Sequence, residues 1–263
     1  MDNSQNSIID GDQAQGEAGS SQEESNTIEL ASRLRLLEVI NVDNGIPPAV
    51  YCTQKFKYIL ILDFEATCWD KYTQNKGLPE IIEFPCVLFD TSRRIIVEEF
   101  QQYVMPCENP KLSPFCTQLT GIHQSQVDRG IPLQTCLMIF SRWLKHKSFQ
   151  YNFSLYKTEN NRAVFATWSD WDLGNCLINE CKRKRIFKPD YFSKWIDIRK
   201  LYVMHYLRRP KGLLGALNDV GLTFQGREHC GLDDARNTAM LVGKMIVDGV
   251  LFSITSSTRK NDT

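Results

Sequence analysis

Asp63 and Glu65 stand one residue apart at the end of the run Tyr58-Ile59-Leu60-Ile61-Leu62-Asp63-Phe64-Glu65-Ala66-Thr67. An apolar run of this length reads as a strand buried on both faces. Side chains alternate along a strand, so the two carboxylates project to the same side at its C-terminal end. Acids held that close repel each other unless a cation lies between them. Hard divalent cations such as Mg²⁺ take oxygen ligands and keep positions open for substrate phosphates. The strand end is thus half of a metal site for phosphate chemistry. An Asp-x-Glu triplet also arises by chance on a solvated sheet rim, so the reading depends on what else the chain supplies. Trp171-Asp172 and His229-Cys230-Gly231-Leu232-Asp233-Asp234 supply more carboxylates and a histidine.

The elements that must position these groups follow from periodicity. Tyr58–Asp63 is the first strand, and residues 81–90 and 95–104 form a hairpin turning at Thr91-Ser92-Arg93. Ser113 caps a helix running to Thr120, which Gly121 ends. Residues 132–145 have a helical period, 163–168 form a short strand, and 173–185 form an amphipathic helix with a basic end. A short strand at 195–198 precedes helices over 198–206, 212–220 and 232–247. Asp172 then follows a strand and opens a helix, while Asp234 sits early in the last helix. His229 lies in the loop before it, where His-x₄-Asp spacing lets a loop histidine face a helix carboxylate. Early strands with later helices suggest one mixed sheet covered by helices.

Composition bounds the rest. The 263 residues, 42% hydrophobic, suit one domain and a tail. Residues 1–54 are expected to be an acidic disordered tail, 55–252 the folded domain and 253–263 a flexible C-terminal tail. Leu30, Leu34, Leu36, Leu37 and Val39 allow a short helix from Ile28 to Ile40 within the first of these. No apolar run approaches the roughly 18 residues of a membrane span. The first residues show neither a basic n-region nor an apolar h-region, so an intracellular location, cytoplasmic or nuclear, is expected. Nine cysteines without a Cys-x-x-Cys pair then read as free thiols rather than a zinc site. The net charge of zero hides an asymmetry: residues 1–50 hold nine acids and two bases, leaving 22 acids and 29 bases for the remainder. A basic body suits an anionic partner.

Taken together and in order, the motifs resemble the DEDDh branch of the DEDD superfamily of 3′-to-5′ exonucleases. Asp63-Phe64-Glu65-Ala66-Thr67 matches the first motif, Trp171-Asp172-Leu173 the second, and His229 with Asp234 the third. Phe64-Glu65-Ala66-Thr67-Cys68-Trp69, Glu80-Ile81-Ile82-Glu83-Phe84-Pro85, Leu119-Thr120-Gly121-Ile122 and residues 229–237 are similar to the Eri-type exoribonucleases. That group includes the histone-mRNA and small-RNA 3′ exonuclease. The resemblance implies an α/β, RNase H-like fold, a five-stranded mixed sheet flanked by helices. It implies two Mg²⁺ ions, replaceable by Mn²⁺, about 4 Å apart on Asp63, Glu65, Asp172 and Asp234. Glu65 and His229 are the implied catalytic residues, with His229 as general base. The implied activity is hydrolytic removal of nucleoside 5′-monophosphates from the 3′ end of RNA, single-stranded or with a short overhang. The alternatives are the same chemistry on DNA, and an RNA-binding module without catalysis, against which all five expected residues are present.

Asp170 is the alternative to Asp172, which the aromatic-Asp-apolar triplet favours. Asp233 is the alternative to Asp234, which the His-x₄-Asp spacing favours. His123 and His205 have no carboxylate partner in a motif. Glu83 is either a support for the acids or purely structural. Phe64, Ala66, Thr67, Thr120 and His229 are expected to touch the terminal nucleotide, and Trp168 either stacks on a base or fills the core. Lys182-Arg183-Lys184-Arg185 and Arg208-Arg209-Pro210-Lys211 are either phosphate contacts or solvated helix-end charge.

Overall fold

The strand that carries the first acids is buried along its whole length, and this sets the architecture. The computed structural model describes residues 53–74, 76–156 and 161–258. The acidic tail expected over 1–54, with its short helix, lies outside the described residues apart from Thr53 and Gln54. All elements below belong to the compact unit Gln54–Thr263.

Strand β1, Tyr58–Leu62, pairs antiparallel with β3, Ile81–Asp90, and parallel with β5, Ala163–Thr167. Its alternating residues divide between two cores. Tyr58, Leu60 and Leu62 join one with Phe84, Phe140 and Phe165. Ile59 and Ile61 join the other with Ile196, Leu201, Leu217, Ala239 and Val242. A central strand covered on both faces by helices needs apolar residues at every position, which explains the unbroken run.

β4, Ile95–Tyr103, forms the outer arm of the expected hairpin with β3. Asp90 closes its turn by accepting from the amides of Ser92 and Arg93. β6, Lys194–Asp197, lies parallel to β5. Helix α1, Pro114–Thr120, has Ser113 as its cap, its side chain accepting from the Cys116 amide, and ends at Gly121 in the left-handed region. Helix α2 is Gln124–Asp128, and α3, Leu133–Gln150, runs past the expected end at 145. A π-helical turn, Asp172–Cys176, leads into α4, Leu177–Lys184. Then follow α5, Ile198–Tyr206, α6, Gly212–Asp219, and α7, Gly231–Val247.

Among the described residues the sheet has seven strands, not five. The additions are β2, Glu65–Ala66, and β7, Ser256–Ser257. Two residues are too few to leave a period of alternation in the sequence. β2 continues the line of β1 along β3, pairing Glu65 with Glu83 and Ala66 with Ile81. β7 pairs with Lys194 and Trp195 of β6, so regular structure continues past residue 252, where a flexible tail was expected.

Candidate active site

Strand β1 stops at Leu62, one residue before the expected end, and the chain re-enters the sheet at Glu65. The cause is local. The amide of Phe64 donates to Asp172 Oδ1 at 2.8 Å rather than to a neighbouring strand. Asp172 comes from beyond the C-terminal end of the parallel strand β5, at the start of the π-helical turn. The second acidic motif thus holds the backbone of the first. The ends of adjacent parallel strands are where α/β sheets place ligands.

The third motif arrives on α7. Gly231, its first residue, packs so closely on the carbonyl of Asp63 that a Cβ there would lie 2.5 Å from that oxygen. Cys230 at the N-cap provides no side-chain cap. Glu83 of β3 supplies one instead, accepting from the Gly231 amide at 3.0 Å and from Gln101 Nε2 at 2.7 Å. A carboxylate at this end also complements the helix dipole. Glu83 thus ties β3 to the start of α7 and adds its charge to the repulsion among the acids. His229 adopts φ 62° just before the helix, and its amide donates to Asp234 Oδ2 at 2.9 Å.

The carboxylates converge. Ligand atoms of Glu65, His229 and Asp234 lie within 4.8 Å of one another. Asp63 interacts electrostatically with Asp172, Asp234, Glu65 and Glu83, and burial followed by these repulsions lifts its pKa well above the usual carboxylate range. Burial, then the charges of Asp234, Glu83 and Asp172, pushes Glu65 up to about 9. Burial pushes Asp172 and Asp234 up to about 7, opposed by amide hydrogen bonds from Phe64 and His229. The opposing contributions at Asp172 and Asp234 come from backbone amides. A divalent cation is the partner that this all-oxygen donor set fits.

The remaining expected residues fall elsewhere. Asp170 bonds Trp195 Nε1 at 3.0 Å and pairs with Lys200, so it is engaged away from the cluster. Asp233 accepts from the Arg227 amide at 3.0 Å and pairs with Arg236. His123 caps α2, and His205 packs edge-on against Tyr206. The Phe64 ring lies in the core, 4.5 Å from Phe84, so only its backbone borders the acids. Ala66 is buried, its carbonyl accepting a weak bond from Cys116 Sγ. The Thr67 hydroxyl accepts from the Glu80 amide, and the Thr120 hydroxyl is shared between the Cys116 carbonyl and the Ile122 amide. Trp168 packs against the second core, its ring 6.4 Å from Tyr202.

Two partly exposed aromatic residues were given no role of their own by the sequence. Trp171, next to Asp172 in the chain and lining a cleft with Pro79, Asn179 and Arg183, and Phe115, on α1, are 41% and 37% exposed. Phe115 lines a cleft of about 590 Å³ with Gln118, Leu119, Gly226, Arg227 and Glu228, beside His229. The Trp171-Asp172 motif carried the signal for Trp171. Phe115 had none, because only the fold brings α1 to the loop before α7.

A family model described as an exonuclease matches residues 60–242. The chain belongs to the exonuclease family. Within it, the chain is similar to ERI1 exoribonuclease 2 of Homo sapiens, 50% identical over 218 residues that cover 80% of this chain and 31% of that protein. It is similar to the 3′-5′ exonuclease Snipper of Drosophila melanogaster, 46% identical over 207 residues, covering 77% of this chain and 74% of Snipper. Among solved structures, the nuclease domain of 3′hExo, a DEDDh family member bound to rAMP, superposes with a TM-score of 0.70 at 38% identity, covering 77% of this chain and 98% of that one. The chain spans about a third of the length of the curated ERI1 exoribonuclease 2 proteins of mouse, human and Xenopus laevis. The DEDDh resemblance and the RNase H-like fold hold, and no described helix of this exonuclease-family chain is long and apolar enough to cross a membrane.

Proposed function

We propose that this chain is a divalent-metal-dependent 3′-to-5′ exoribonuclease that releases nucleoside 5′-monophosphates. The observation that carries the proposal is the convergence of Asp63, Glu65, Asp172 and Asp234, buried and mutually repelling, with His229 at their edge. The four acids would hold Mg²⁺ or Mn²⁺, and their four formal negative charges match two divalent ions. Bound there, the ions supply Lewis-acid activation of water and neutralise phosphate charge.

The chain's own residues do the rest. His229, held through its amide by Asp234, takes the proton of the attacking water on an imidazole nitrogen. The new P–O bond forms as the bond from phosphorus to the 3′ oxygen breaks, and that oxygen takes a proton from solvent water to become a new 3′-hydroxyl. Glu65 is one of the four metal acids, and the backbone of Ala66 and Thr67 that follows it would border the terminal nucleotide. Trp171 and Phe115 offer faces on which a base can stack. RNA is preferred as substrate because the human relative is named an exoribonuclease and because a structural neighbour, 36% identical, is described as recognising a histone mRNA stem-loop.

The test is an incubation of 5′-labelled single-stranded RNA and DNA of one sequence, with Mg²⁺ and with EDTA. A Mg²⁺-dependent ladder shortening from the 3′ end, faster on RNA, is expected. Faster shortening of DNA would overturn the substrate assignment, and internal cleavage would overturn the exonuclease.

A further inference from the structure

We propose that Arg227 is a positioning residue: its guanidinium clamps the C-terminal end of α1 and so fixes the loop that carries His229. Helix ends leave carbonyls without partners. Those of Gln118 and Leu119, at the end of α1, receive Arg227 Nη2 at 2.6 Å and 3.3 Å. Gly121 makes this approach possible. A Cβ on it would lie 1.4 Å from Arg227 Nη1, so any side chain there displaces the guanidinium.

The other end of the loop is fixed independently. The Arg227 amide donates to Asp233 Oδ2 at 3.0 Å, over Gly226 at φ 87°, where a Cβ would meet the same carboxylate at 2.4 Å. Asp233 is held in turn by Arg236, which pairs with Glu99 of β4. Between these ties the Cys230 amide donates to the Arg227 carbonyl, closing a turn around Glu228 and His229. His229 is exposed and takes a left-handed conformation unusual for a residue with a Cβ. Histidine enters that region more readily than most residues, and the amide bond to Asp234 and the turn closed on the Arg227 carbonyl hold it there. With Asp234 bonded to the His229 amide, the Arg227 clamp is the one tie in this set that runs to α1, the opposite wall of the cleft.

The kinetic part of the test rests on the exoribonuclease reading, and the exchange part does not. R227A and, separately, G121A are expected to lower kcat about 10–100-fold with KM within about threefold, as for a misplaced catalytic group. The double variant should be no slower than the slower single one, because both remove one contact. R227K, which keeps a cation but not the fork, should recover only part of the rate. Hydrogen exchange should quicken over 226–230 in both single variants and stay unchanged over 58–66. The rise in Tm on adding Mn²⁺ should equal that of the wild type, because the four acids are untouched. Raised KM at unchanged kcat with unchanged exchange would overturn the proposal and make Arg227 a phosphate contact. Unchanged kcat and exchange would overturn it outright. If the wild type proves inactive with Mg²⁺, the function reading fails, and the exchange over 226–230 alone decides the clamp.

Discussion

At the scale of single residues, the acids make a stability prediction with a definite sign. Burial raises each pKa above its unfolded value near 4. The folded chain therefore holds protons that the unfolded chain has released. Stability from these groups is fully present below about pH 4. It is lost as pH rises through the folded values, about 7 for Asp172 and Asp234 and about 9 for Glu65. Thermal melts of EDTA-treated protein should show Tm falling between pH 5 and pH 8.5. Mn²⁺ at about a hundred times its Kd should add roughly 5–10 °C at pH 8 and less at pH 5. Asp63→Asn should abolish strand shortening yet raise the metal-free Tm at pH 8, since it removes a repelling charge without changing shape. A metal-free Tm that rises with pH would contradict this. His229→Ala should cost about 10²–10⁴ in kcat with little change in Tm. The five central residues were legible because each carries an unusual type at a fixed local spacing. Glu83, Arg227 and Gly231 were not assignable to the site, because their partners are 148 residues away for Glu83 with Gly231, and 109 for Arg227 with Gln118.

At the scale of elements, the basic run at the end of α4 divides into two kinds. Lys184 bonds Glu80 and Glu180, both fully buried, at 2.6 Å each. Glu80 also accepts from the amides of Cys107, Glu108 and Asn109, and Glu180 accepts from Ile81 at the start of β3. Arg183 pairs with Glu108. These two cations fasten the helix to the strand that pairs with Glu65. Lys184→Ala takes the ammonium group from two buried carboxylates and leaves them their amide hydrogen bonds, a loss of about 3–5 kcal/mol. The predicted fall in Tm is about 6–15 °C at neutral pH, and a drop under 2 °C would refute the assignment. Sequence alone could not separate Lys184 from Lys182, because both stand in one charged run and only tertiary contacts distinguish them. The main elements were legible from local sequence: β1 and β3 as dense apolar runs, and α3 and α7 by a helical period over many residues. The π-helical turn, β2 and β7 carry no such period, and the break after Leu62 depends on a hydrogen bond from 108 residues away.

At the scale of the whole molecule, the two cores on either side of β1 and β5 leave the ends of the parallel strands as the place where charge collects. The 29 bases and 22 acids beyond residue 50 favour an anionic partner around that acidic centre. Lys182 and Arg185 are exposed at the end of α4. Their joint replacement by alanine should leave Tm within about 2 °C and lower the salt dependence of RNA affinity by roughly one to two units of log–log slope. An unchanged slope would place the strand elsewhere. The most direct test of the central claim is mass spectrometry of the first product released from a defined RNA, with wild type and Asp63→Asn side by side in Mg²⁺. The account predicts a nucleoside 5′-monophosphate from the wild type and none from the variant. A nucleoside 3′-monophosphate or 2′,3′-cyclic phosphate, or equal release by Asp63→Asn, would contradict it.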